Sequence, residues 1–173
     1  MSATLNRRDL LRSAGLLAFG ALQLPAANPG APLYFTLDEF ALLDTLTELI
    51  IPTDDHSPGA HAAGVAAYID RTTAEAFLPE DKQSWRKGLA ALNELSMQRF
   101  SSAFVKASKD GQTKLLSELA AAENHPNSAA EKFWTQLKQT TAFAYYSSSV
   151  GIHQEIEYNG NVILDKFVGY DAT

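Results

Sequence analysis

Two stretches of this 173-residue chain hold residue types that can do chemistry. The first is Asp54-Asp55-His56, followed by His61 across a Ser-Pro-Gly turn. Carboxylates and imidazoles together are the ligand set of a divalent or transition metal. The histidines stand five apart across a turn, a spacing that fixes no coordination geometry. Loop residues that cap the next helix or bond their own backbone use the same letters, so a structural or partner-binding loop is the favoured reading. The competing reading is a stand-alone exported metal-binding protein or enzyme that uses His56, His61 and the nearby carboxylates.

The second stretch is Tyr145-Tyr146-Ser147-Ser148-Ser149, then Gly151-Ile152-His153-Gln154-Glu155. Serine, histidine and carboxylate together invite comparison with a hydrolase. No G-x-S-x-G elbow follows a strand, and a triad is defined by geometry rather than by neighbourhood in sequence. Half-buried tyrosines with satisfied hydroxyls, at a surface or an interface, fit these residues better. We therefore assign no catalytic, cofactor-binding or metal-binding residue in this chain.

Other chemistries lack their motifs. No G-x-G-x-x-G follows a strand and no phosphate loop is present, so the fingerprint of a dinucleotide site is missing. With no cysteine, disulfides, cysteine-ligated clusters and zinc, and covalent haem at C-x-x-C-H are excluded. The net charge is −6, and Arg7, Arg8 and Arg12 stand against Asp9 alone in the first 27 residues, so the remainder is more acidic still. Such a body has no electrostatic footprint for nucleic acid, which needs a basic patch.

Those three arginines belong to an address. Asn6-Arg7-Arg8-Asp9-Leu10-Leu11 followed by a modest apolar run to Leu22 has the layout of a secretory signal. The paired arginines, Arg7 and Arg8, resemble the twin-arginine export motif. The apolar run is too short to span a bilayer, which takes about 20 residues as a helix, so no stable transmembrane span is expected. The expectation is a signal and linker over residues 1–31, a domain over 32–173, and a periplasmic location, with membrane association only through a complex. Processing is placed near Leu24-Pro25-Ala26-Ala27.

The domain must position whatever site it has with helices. Thr36 caps a helix that carries Leu37, Phe40, Leu43, Leu46 and Ile50 on one face, with Glu39 at the capping-box position. Pro52 ends it. Thr53 to Ala63 reads as a structured loop, and Val65 to Leu78 as a second helix with Val65, Ile69 and Phe77 inward. Pro79 opens a third helix, which runs past Trp85 towards Phe100 and Phe104. Asp110-Gly111 reads as a break, Gln112 to Ala122 as a short helix, and Ser128 as the cap of a fifth helix that bears Phe133, Trp134, Leu137, Phe143 and Tyr145, with Trp134 and the phenylalanines as core. Beyond Gly151 the pattern dissolves, with a turn at Asn159-Gly160 and an aromatic-rich tail from Phe167 to Tyr170. The fold expected is all-α: a small irregular bundle of about five helices with an extended C-terminal tail.

The run Leu49-Ile50-Ile51-Pro52-Thr53-Asp54-Asp55-His56-Ser57-Pro58-Gly59-Ala60, with Gly64-Val65-Ala66 and Tyr68-Ile69-Asp70, resembles the signature of the gluconate 2-dehydrogenase subunit 3 family. Leu92-Asn93 to Phe100, Phe133-Trp134 through Tyr145-Tyr146, Gly151 and Tyr158-Asn159-Gly160 resemble its later parts. The resemblance covers about residues 36 to 170. It implies a non-catalytic small subunit that supports the maturation, stability and twin-arginine export of a large partner. That partner is a flavin subunit of the glucose–methanol–choline oxidoreductase class, which holds FAD and oxidises a sugar or sugar acid. Electrons then leave through a cytochrome c subunit or a separate carrier. No catalytic residue is carried over, since the chemistry lies in the partner. Asn6 departs from the serine or threonine common before the arginines. The residues expected at the partner interface are Pro52, Asp54, His56, Ser57, Pro58 and Gly59 in the first stretch. In the second they are Tyr145, Tyr146, Gly151, Glu155, Tyr158 and Gly160.

Overall fold

A computed structural model describes residues 31–158 and Gly160. The chain divides into units of residues 1–31 and 32–173, and the helices all belong to the second among the described residues. Arg7, Arg8, Asn159 and the tail from Phe167 to Tyr170 lie outside the described residues.

The described chain is all-α, with neither a strand nor a helix long and apolar enough to cross a membrane among the described residues. Helix α1, Leu37–Ile50, begins at a full capping box. Thr36 Oγ1 accepts from Glu39 N at 3.2 Å, and Glu39 Oε2 accepts from Thr36 N at 2.8 Å. Two otherwise orphaned donors are satisfied in this way, worth about 1 kcal/mol. Leu43 and Leu46 are fully buried, whereas Leu37, in the first turn, is exposed.

A short α2, Gly59–Ala62, interrupts the expected loop, and α3 follows at Val65–Glu75. The expectation that α3 runs to Leu78 with Phe77 inward is wrong. Helical geometry stops at Ala76 because Leu78, preceding Pro79, is driven into an extended conformation. Phe77 sits in that linker, 95% exposed. Helix α4, Pro79–Phe100, ends one turn earlier than expected, at Ser101 in the left-handed region (φ 51°). Phe104 returns to the core through a 3₁₀ turn, Phe104–Lys106, with its N–H on Asn93 Oδ1 at 2.9 Å and its carbonyl on Gln112 Nε2 at 2.8 Å.

Helix α5, Lys109–Ala121, corrects the expected break at Asp110-Gly111. Ser108 caps it by accepting from Gly111 N at 3.2 Å. Asp110 is then a first-turn acid facing the positive end of the helix dipole, not a turn residue.

Helix α6, Ala129–Tyr146, has a second capping box, between Ser128 and Glu131. Hydrogen bonds from the Ser128 and Asn127 backbone hold the Glu131 carboxyl below its usual pKa. This helix is the spine of the bundle and touches α1, α3, α4 and α5. Ala130, Phe133, Trp134, Leu137, Thr141, Ala144 and Tyr145 form its buried stripe. Phe143 falls off that stripe, two positions past Thr141 and so across the helix from it. It is 62% exposed, not core as expected. The α4–α6 pairing is close because Gly88 lies beneath the Phe133 ring, where a Cβ would stand 2.0 Å from Cδ2. Trp85 meets the same ring edge-to-face at 5.7 Å. Beyond α6 the chain does not dissolve at once: Gly151–Glu155 forms one π-helical turn, closed by Ile156 N on Gly151 O at 3.0 Å.

Candidate functional site

Pro52 ends α1, and the chain then folds back on the helix it has left. Ala60 N donates to Ile51 O at 2.9 Å, which closes a ring of loop residues 51–60. Inside the ring Asp54 organises the backbone. Its Oδ1 accepts from His56 N at 2.8 Å and Ser57 N at 2.7 Å, while its own N–H donates to Ser57 O at 2.8 Å. The two N–H groups that favour the ionised carboxylate hold the Asp54 pKa below its usual value. Asp54 therefore acts as the loop's internal brace.

Two acids of α1 brace the loop from below. Glu48 Oε1 accepts from Thr53 N at 2.9 Å and lies 2.8 Å from Thr53 Oγ1, and Glu48 Oε2 accepts from His61 N at 2.8 Å. Burial raises the Glu48 pKa, but the bonds from His61 and Thr53 outweigh it and the net shift is downward. Asp44, one turn earlier, pairs with His61 Nδ1 at 2.8 Å. Sequence reasoning missed Asp44 and Glu48 as part of this unit. The readable signal was the four-residue step from Asp44 to Glu48, which puts both acids on the same side of the helix end.

Gly59 is required for closure. Its φ is +78°, and a Cβ there would stand 2.5 Å from Thr53 Oγ1 and 2.7 Å from Thr53 N. Ser57 is buried and turns inward. Its Oγ accepts from Gly59 N at 3.2 Å and lies 2.7 Å from the Tyr145 hydroxyl.

That contact joins the two stretches singled out in the sequence. Tyr145 is fully buried near the C-terminal end of α6. Burial pushes its hydroxyl pKa up, the bond to Ser57 opposes this, and the Glu155 carboxylate adds to the rise. Gly151 lies against the Tyr145 carbonyl, where a Cβ would be 2.2 Å from the oxygen. Ser148 Oγ donates to that same carbonyl at 2.6 Å and accepts from Gly151 N at 3.0 Å. The π turn is thereby pinned to the end of α6, and Tyr158 N closes onto Ile152 O at 3.0 Å.

The expected interface residues thus separate into two sets. Ser57, Gly59, Tyr145 and Gly151 are buried and hold the shape, and Pro58 is half-buried. Pro52, Asp54, His56, Tyr146, Glu155, Tyr158 and Gly160 are exposed and form the surface. Tyr146 stands edge-on to Tyr145 at 5.2 Å, and Phe143 stands 6.4 Å from Tyr68. Leu49, Phe143, Tyr146, Ile156 and Tyr158 are exposed apolar or aromatic side chains.

Among the described residues, no serine hydroxyl is hydrogen-bonded to a histidine. His153 Nδ1 instead lies 3.3 Å from the Tyr158 carbonyl. Nor do three or more His, Cys, Asp or Glu side chains gather into a metal-holding group among the described residues. What the arrangement offers is a preorganised apolar and acidic surface.

Searches of curated proteins and of solved structures return no match. A family model described as gluconate 2-dehydrogenase subunit 3 matches residues 37–162, from the first turn of α1 to just beyond the π turn. The braced Pro52–Gly59 loop, Tyr145 and Gly151 all lie within that match, and the chain belongs to the gluconate 2-dehydrogenase subunit 3 family.

Proposed function

We propose that this chain is the non-catalytic small subunit of an exported, FAD-dependent sugar or sugar-acid dehydrogenase. It supports maturation, stability and twin-arginine export of a large flavin subunit of the glucose–methanol–choline class. FAD and the oxidation chemistry belong to that partner, and electrons pass on to a cytochrome c subunit or carrier. The observation that carries the reading is the Ser57–Tyr145 bond, which welds the two stretches into one surface within a chain whose family is named as a dehydrogenase subunit.

Preorganisation supports docking. A surface already fixed by Asp44, Glu48 and Asp54 loses little freedom when a partner covers it. Exposed aromatics beside an acidic loop match the make-up of an interface centre and its polar rim. An obligate contact of this kind exceeds roughly 1,600 Å². The test is purification of the tagged chain from periplasm. A larger polypeptide with a flavin spectrum in fixed ratio supports the reading, and a chain recovered alone from cells that make the flavin protein counts against it.

A further inference from the structure

The Tyr68-Ile69-Asp70 segment takes part in the surface described above only through Tyr68. Ile69 is core, but Asp70 is a buried carboxylate, 3% exposed, in the middle of α3. Both of its oxygens are spent on backbone more than thirty residues earlier. Oδ2 accepts from Leu33 N at 2.5 Å, and Oδ1 accepts from Tyr34 N and Phe35 N, each at 3.0 Å. Residues 33–35 form no helix, so these three donors have no intrahelical partner and one side chain satisfies them all.

Helix α4 grips the same arm from its other side. Tyr34 Oη donates to Lys82 O at 2.9 Å, and Arg86 Nη2 donates to Tyr34 O at 2.6 Å. The Arg86 guanidinium also sits 4.3 Å from the Tyr34 ring centroid, while its Nε lies 3.4 Å from Glu39 Oε2. Phe35, the last residue of the arm, is 4% exposed and part of the core.

We infer that Asp70 is a clasp that makes residues 33–35 part of the folded domain and so sets the limit of N-terminal processing ahead of Leu33. A protease draws several residues into an extended strand across its active site. To cut within Leu33–Thr36 it must break three hydrogen bonds to one carboxylate, release Arg86 and pull Phe35 from the core together. Asp70 lies on α3, whereas Lys82 and Arg86 lie on α4, so the clasp closes only when those helices have packed. The limit is therefore a property of the folded chain. This inference does not depend on the dehydrogenase reading.

Hydrogen exchange and limited proteolysis of the full chain test it. In wild type the amides of Leu33, Tyr34 and Phe35 exchange slowly, and Asp70→Ala accelerates them by at least about tenfold while α6 amides stay protected. Subtilisin applied to folded wild type leaves a product whose first residue is Leu33 or earlier, by intact mass. In Asp70→Ala the product begins at Thr36 or later. Should Asp70→Ala not fold, Arg86→Ala loosens the arm from the α4 side and is read in the same way. Rapid exchange of the three amides in wild type overturns the clasp. So does cleavage between Leu33 and Thr36 in folded wild type, or a variant that folds with exchange and cleavage unchanged.

Discussion

The hydroxyls of Ser57 and Tyr145 lie 2.7 Å apart in the interior, although 88 positions separate the two residues. Ser57 belongs to a loop that its own backbone and two acids of α1 hold shut. Tyr145 belongs to the central helix. Their contact turns two local structures into one rigid unit, so a change on either side should be felt on the other.

The bond itself is accessible to a double-mutant cycle. Ser57→Ala and Tyr145→Phe each leave one buried hydroxyl short of a partner, and each is expected to lower unfolding free energy by about 1–3 kcal/mol. The double variant loses less than the sum, because the second change removes a group already unpaired. Urea denaturation of the four proteins checks this; strict additivity means that the two hydroxyls are not coupled.

Three glycines separate conformational strain from crowding. Gly59→Ala combines a positive φ with overlap on Thr53 backbone and is expected to cost about 2–4 kcal/mol. Gly151→Ala meets the Tyr145 carbonyl and costs about 1–3 kcal/mol from overpacking alone. Gly64 has a φ of +68° but open space around it, so its alanine variant costs only about 1 kcal/mol. Melting temperatures in the order Gly64→Ala above Gly151→Ala above Gly59→Ala are the predicted outcome.

Acid should loosen the loop. Glu48 is held below its usual 4.5 and Asp54 below its usual 3.8. A carboxyl depressed in the folded state contributes stability above its unfolded value, and that contribution drains away as pH falls through the folded one. Loss therefore begins near pH 4.5, and Glu48→Gln should flatten the acid limb of a melting-temperature profile. Tyr145 works in the opposite sense. Its pKa is raised above 10.0, so its contribution is complete below that value and is lost as pH climbs beyond it. Tyr145→Phe should remove that alkaline component, and profiles that match wild type at both ends contradict these assignments.

On the surface, Phe143 and Tyr146 lie three apart on α6 and are both exposed, at 62% and 46%. Replacing both with serine removes the ring contacts with Tyr68 and Tyr145 and should cost about 1–2 kcal/mol while leaving the fold intact. The same variant should lose most of its co-purifying flavin subunit. Retention of the partner at wild-type ratio would move the interface elsewhere on the molecule.

Local signals made much of the fold readable. Thr36 with Glu39 announces one helix start and Ser128 another, and both are full capping boxes in the structure, the second completed by Glu131. Asp110-Gly111 misled because a turn-forming pair also fits the first turn of a helix when a serine stands just ahead, and Ser108 does. Phe143 misled because its residue type favours burial, while its angular position on α6 takes it off the core. In the candidate site the two stretches themselves were visible, but their union was not. No sequence pattern states that Ser57 turns inward to meet Tyr145, or that Asp70 reaches back to Leu33, because both depend on how distant helices pack.

The proposed role turns on how the flavin protein fares alone. Co-expression of the large subunit with and without this chain, followed by measurement of soluble protein, FAD content and periplasmic activity, tests it most directly. Omission of the chain is expected to leave the flavin subunit poorly soluble, low in FAD and largely unexported, and the Ser57→Ala/Tyr145→Phe variant to restore it only in part. A flavin subunit that is equally soluble, FAD-loaded and exported in the chain's absence contradicts the proposed role.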